Sequence, residues 1–168
     1  TGEAVHQSLE NITRQAQNHE PITGLPTGFA GLDSFTTGLQ KGNLVIVAAR
    51  PSMGKTAFVL NIAKNISLSH ARKTVAFFSL EMGRDELVHR LLSSTALIDS
   101  QRLKTGRIQG EKEWLNLSKA ASVFMEAPLY IDDTPGVTVS QIRSKCRRLK
   151  AEKGLDVVIT VSYTHLRA

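Results

Sequence analysis

Residues 44–57 read LVIVAARPSMGKTA, and the fold turns on how that stretch is read. Leu44 to Ala49 are apolar without a break and rich in β-branched side chains, the signature of a strand buried on both faces. Ala49 to Thr56, ARPSMGKT, fit the phosphate-loop pattern G-x-x-x-x-G-K-[ST] at every position but the first, where Ala49 replaces glycine. A methyl is tolerated there if φ stays negative. Pro51 fixes its own φ and biases Arg50 toward extended geometry. Gly54 leaves room for a phosphate against the backbone. The expectation is a strand, a loop and a helix, with the backbone N–H groups of 52–56 aimed at an anion at the positive end of the helix. Lys55 is expected to reach the β- and γ-phosphates and the Thr56 hydroxyl to bind Mg²⁺. Nucleotide contacts are assigned to Arg50, Pro51, Ser52, Met53, Gly54, Lys55, Thr56 and Ala57, with ATP and Mg²⁺ as cofactors. The rival reading is a basic turn with Lys55 in solvent.

Three more apolar runs follow: TVAFFSL at 74–80, PLYID at 128–132 and DVVITV at 156–161. Helical spacing fills the intervals. Val59, Ile62, Ala63 and Ile66 share a face, as do Leu87, Val88, Leu91 and Leu92. Trp114, Leu117, Ala121 and Phe124 mark a third helix, with Trp114 and Phe124 expected to be packing residues. Val139, Ile142, Cys146 and Leu149 mark a fourth, opened by a Thr138–Gln141 capping box and closed by Gly154. Strands alternating with helices predict an α/β fold, a mostly parallel sheet flanked by helices. Ligands of such sheets sit beyond the carboxyl ends of the strands.

Carboxylates at those ends are therefore candidates. Glu81, just after the second run, is placed to hold or deprotonate an attacking water; the alternative is a solvated loop glutamate. Asp132 ends the third run and is a candidate for holding a metal's water shell. The alternative is that Asp132 or Asp133 caps the DDTPG turn. Asp156 starts the fourth run, at the wrong end of the sheet. The basic run Arg143, Lys145, Arg147, Arg148, Lys150 and Lys153 reads as the solvated face of a helix rather than a phosphate contact.

The chain has 168 residues, 41% apolar and 21% charged, which excludes collagen-like and wholly disordered material. A formal charge of +6 suits an anionic partner. One cysteine excludes an internal disulfide framework and fits a reducing compartment. No apolar run approaches the roughly 20 residues of a membrane span, and the first residues do not read as a signal peptide. A cytoplasmic protein without a membrane segment is expected. Val5, Leu9, Ile12 and Ala16 form a narrow apolar stripe on an otherwise polar helix. Residues 18–43 carry five glycines and two prolines and read as turn-rich chain.

Several stretches together resemble the replicative DNA helicase of the DnaB family. They are TGLPTGFAGLD, LVIVAARPSMGKTAF, FFSLEM, DSQRLKTGRI, YIDDTP and IRSKCRRLKAEKGLD, in this order, from about Ile22 to Ile159. The resemblance implies a RecA-like motor domain that forms a hexameric ring around single-stranded DNA. That motor couples ATP hydrolysis to translocation and strand separation, with primase and a helicase loader as partners. It implies that Lys55 and Thr56 serve phosphate and Mg²⁺ and that Glu81 activates water. It also implies that the helix over 4–16 is a linker that docks on a neighbouring subunit.

The expected organisation is a linker helix over 1–20, the amino-terminal part of the motor domain over 21–159, and a tail over 160–168 that departs from the family. Where the family continues with Asp and then Tyr-Leu-Gln, this chain has Val161 and SYTHLRA. The expectation is therefore a core incomplete at its carboxyl end, impaired in hydrolysis, with the fourth strand exposed as an edge. Alternatives are a RecA-type recombinase-like ATPase, a non-catalytic nucleotide-binding fragment, and a small-molecule kinase, for which an arginine-rich lid is missing.

Overall fold

The structure, a computed structural model, describes residues 22–161 together with 2, 3, 5–7, 9, 10 and 13. Much of the helix expected over 4–16, and residues 162–168 of the expected tail, lie outside the described residues. The chain divides into two compact units, Thr1–Ile46 and Val47–Ala168.

In the first unit, Leu25 and Leu39 form an isolated antiparallel bridge. It is extended by the amides of Thr23 and Gly24, which both donate to the Thr37 carbonyl. Between them runs α1 (Ala30–Thr36). Its Asp33 is only 3% exposed, and a buried carboxylate is costly unless satisfied. Thr27 supplies its amide at 2.8 Å and its hydroxyl at 2.7 Å, and Gly28 adds its amide at 3.1 Å. Two glycines are required by close approach. A Cβ on Gly24 would stand 2.7 Å from the Leu39 carbonyl oxygen, and one on Gly38 would stand 2.9 Å from the Gly24 carbonyl carbon.

The second unit is built on three parallel strands, β1 (Val75–Ser79), β2 (Leu129–Asp132) and β3 (Val157–Val161), in the order β2-β1-β3. Val75 stands opposite both Leu129 and Val157, which sets the register. Flanked on both edges, β1 is buried at every position. Ala76 and Phe78 pack with Val137 and with Ile142 of α6 (Val139–Lys153), with Cys146 and Leu149 alongside. Cys146 is partly buried against this cluster, and that burial pushes its thiol up. Side chains alternate along a strand, so Val75, Phe77 and Ser79 face the opposite way. There α2 (Lys55–Leu68) lies across all three strands, burying Leu60, Ile62, Ala63 and Ile66. The capping box of α6 forms as expected, with the Gln141 amide donating to the Thr138 hydroxyl and the Thr138 amide to the Gln141 side chain.

A helical layer packs on α2. In it α3 (Arg84–Ala96) meets α4 (Ser100–Lys104) and α5 (Gly110–Glu126). Ala96, Ile98 and Ala120 form its core, flanked by Leu92, Leu103 and Leu117. Asp99 caps α4 through the amides of Gln101 and Arg102. Arg102 makes a fork to both oxygens of Glu113, at 3.0 and 2.8 Å.

Two expectations are corrected. Residues 44–49 are not a buried strand. They carry no regular structure and are exposed throughout, Leu44 at 86% and Ile46 at 66%. A strand exists only with a ladder partner. Both edges of β1 are taken by β2 and β3, and 44–49 pairs with no strand among the described residues. Trp114 is not a packing residue either; it is 58% exposed. The first turn of α5 meets α4 through the Arg102–Glu113 ion pair, a polar contact that leaves the indole outside.

Candidate phosphate loop and the carboxyl edge of the sheet

The loop that enters α2 turns twice through the left-handed region, at Ser52 (φ 64°) and Gly54 (φ 85°). Ala49, by contrast, is not among the residues with positive φ, which is why alanine is tolerated there. The Met53 amide donates to the Arg50 carbonyl and closes the turn. Gly54 is the N-cap of α2, and no side chain caps that helix. The first backbone bond across the cap is Phe58 N–H to the Gly54 carbonyl. The amides of the first turn therefore point out of the helix without a capping side chain, and no acidic residue stands among them. Gly54 supplies the positive φ of the cap, and within the protein a Cβ there would meet nothing within 4 Å. Lys55 and Thr56 are half-buried at the head of the helix and have no hydrogen-bond partner among the described residues. Donors of this kind, with one lysine, make an anion site. A lone hydroxyl also fits Mg²⁺, which keeps most of its own waters. Among the described residues no three His, Cys, Asp or Glu side chains are grouped to hold a metal.

Six residues join the end of α2 to the start of β1, so α2 runs back along the sheet. Its first turn thus lies toward the edge where β1 and β2 end. Glu81 follows β1 there, exposed and unpaired among the described residues. Ser79 donates its hydroxyl to the Met82 carbonyl at 2.7 Å and accepts the Met82 amide at 3.2 Å. The Asp133 carboxylate accepts the Arg84 amide at 2.8 Å and faces the Arg84 guanidinium at 3.4 Å. The Arg84 amide, with the guanidinium beside it, holds the Asp133 carboxyl below its usual range.

Asp132 is engaged differently. It accepts the Thr134 amide at 3.0 Å and the Lys145 ammonium at 2.5 Å, and Lys145 also donates to the Thr134 hydroxyl. Burial raises its pKa, but the bonds from Lys145 and Thr134 outweigh that and leave it lowered. Of the two roles open to Asp132, this geometry is that of a turn cap neutralised by a lysine. Lys145 is correspondingly not part of a uniformly solvated face. Asp156, expected as a plain surface residue, accepts the Thr74 amide at 2.9 Å and ties the starts of β1 and β3 together.

Neither Ser79 nor Arg84 stands out in the sequence, and Lys145 does so only as one member of the basic run; the meeting of the two turns follows from the pairing of β1 with β2.

The family described as the DnaB-like helicase C terminal domain matches residues 24–167. This chain belongs to that family. The match takes in residues 160–167, set apart above as a tail. The DnaB-like chain is 48% identical over 160 residues to the replicative DNA helicase DnaC of Bacillus subtilis (strain 168), covering 95% of this chain and 35% of that protein. It is 47% identical over 160 residues to the replicative DNA helicase DnaB of Geobacillus stearothermophilus, again covering 95% and 35%. The chain thus spans about a third of the length of these relatives. Among solved structures, an ATPase domain superposes with a TM-score of 0.82 at 36% identity, covering 93% of this chain and 55% of that one. A DnaB-like replicative helicase studied with primase gives 0.79 at 36% identity, covering 92% and 37%. No helix among the described residues is long and apolar enough to cross a membrane.

Proposed function

We propose that this chain is the nucleotide-handling part of an ATP-driven replicative DNA helicase. The observation that carries the reading is the uncapped, acid-free first turn of α2, headed by Gly54, Lys55 and Thr56, on the side of the sheet where Glu81 emerges. Arg50 to Ala57 hold the triphosphate, Lys55 neutralises its β- and γ-oxygens, and Thr56 supplies one ligand to Mg²⁺. Glu81 orients the attacking water and takes its proton. In the whole protein, hydrolysis drives movement along single-stranded DNA and duplex separation, within a hexameric ring in the cytoplasm, with primase and a helicase loader as partners. The family membership and the relatives named as replicative helicases support this reading.

Turnover by this chain alone is slow in this reading. The 44–49 run that leads into the phosphate loop pairs with no strand among the described residues, and the loop continues into α2, which packs on the sheet. That observation favours the second reading, a piece that binds nucleotide without cycling it.

The deciding measurement is thermal unfolding with and without Mg-ATP. A ligand bound only by the folded chain at 100 times its Kd adds about 2.7 kcal/mol, which is roughly 5–10 °C in Tm at this chain length. Loss of that shift in Lys55→Ala supports the proposal. An unmodified chain whose Tm ignores Mg-ATP overturns it.

A further inference from the structure

We propose that Ser79 and Asp133 are positioning residues that clamp the turn 80–83 from its two ends, so that Glu81, the one polar side chain of that turn, projects from a fixed backbone at the sheet edge. This rests on the reading of Glu81 as the carboxylate that handles the attacking water.

Three anchors hold the turn. Leu80 is packed against the core cluster of Ala76, Phe78, Val137 and Ile142. Met82 is held through both its amide and its carbonyl by Ser79, whose side chain points into the protein and is 1% exposed as a residue. Gly83 gives way to Arg84, whose amide is fixed at 2.8 Å by Asp133, at the end of a strand that pairs directly with β1. Leu80, Met82 and Arg84 are therefore tied to the core, to β1 and to the end of β2. The Glu81 side chain makes no bond among the described residues. A backbone fixed at both sides sets where the Glu81 Cα–Cβ bond projects, and it does so without spending the carboxylate oxygens on a partner. A reacting group displaced by about 1 Å loses up to 10²-fold in rate.

Consecutive residues at the end of β2 divide the work. Asp132, the last residue of β2, turns to Lys145 on α6, while Asp133, the first beyond it, turns to the head of α3. Ser79 and Asp133 do not touch the reacting atoms; their effect reaches them through Glu81.

The test is single-turnover ATP hydrolysis by the purified chain in excess over nucleotide, with nucleotide Kd measured alongside. Ser79→Ala and Asp133→Ala are expected to lower the rate about 10-fold or more while leaving Kd within about twofold. Ser79→Thr, which restores the hydroxyl, and Asp133→Asn, which keeps an acceptor for the Arg84 amide, recover part of it. In a Glu81→Gln background, Ser79→Ala is expected to cost nothing further, because the group it positions is gone. Rates unchanged in both alanine variants while Glu81→Gln abolishes turnover overturn the inference. Turnover that survives Glu81→Gln overturns the parent reading instead. A readout independent of catalysis is amide exchange. Slow exchange at Met82 and Arg84, each released by its own clamp variant, supports the clamps; free exchange at both in the unmodified chain overturns them.

Discussion

Lys145, in the middle of α6, places its ammonium against the Asp132 carboxylate at the end of β2. This contact gives a carboxylate at the carboxyl edge of the sheet a structural partner, and it turns one member of a basic run inward. Its strength should depend on pH. The folded-state pKa of Asp132 is depressed, so its contribution is complete above the unfolded pKa and is lost as pH falls through the folded one. Lys145→Met is therefore expected to cost about 1 kcal/mol near neutral pH. The difference should shrink below about pH 4, where unfolded aspartate takes up its proton. Urea unfolding of both proteins at about pH 7 and about pH 3 measures it, the two values lying on either side of that uptake; an equal cost at both shows that the pair contributes nothing electrostatic.

The 44–49 run offers a contrast with the core. Ile46 is largely exposed, whereas Phe77 is fully buried in β1. Ile46→Ala is expected to change unfolding stability by no more than about 0.5 kcal/mol. Phe77→Ala is expected to cost about 3–5 kcal/mol. If denaturant melts instead find Ile46→Ala as damaging as a core truncation, the run is buried after all.

Gly54 is required by its backbone alone. Gly54→Ala places a methyl in open space but in the left-handed region, at a cost of about 1–2 kcal/mol. The variant should fold, lose stability by that amount in urea, and lose most of the Tm gain from Mg-ATP, because the first-turn amides are no longer presented together. A variant that keeps the full nucleotide shift removes the loop from the binding site.

Trp114 is the only tryptophan in the sequence, so its emission reports one place. The exposed indole is expected to emit at a wavelength close to that of the unfolded chain and to be readily quenched by iodide. Trp114→Ala should cost less than about 1 kcal/mol. A blue-shifted, quench-resistant emission would restore the buried position that its spacing first predicted.

Glu81→Gln keeps the shape of the side chain and removes its basicity. Hydrolysis should fall by about 10²–10⁴-fold while nucleotide binding stays. Binding lost together with turnover would show that Glu81 supports the site structurally.

The loop and helix at 50–68 and the Thr138–Gln141 capping box were legible in the sequence, because each rests on neighbours a few residues away; the runs that became β1, β2 and β3 were legible as apolar stretches, but their pairing was not. The clamps were not. Ser79 reaches only to Met82, yet nothing in a linear pattern separates that from a solvated serine. Asp133 reaches Arg84 across 49 residues, a separation that only the pairing of β1 with β2 closes.

Local periodicity, read residue by residue, determined α2, α3, α5, α6 and the α/β class. Tertiary structure alone decided which apolar runs became strands, which carboxylates were neutralised and which aromatic side chains were covered. Val75–Ser79 and Leu44–Ala49 are both largely apolar, but only the first meets two edges in register. Hydrophobicity makes a strand possible; the hydrogen bonds of a partner, supplied from far along the chain, make it real.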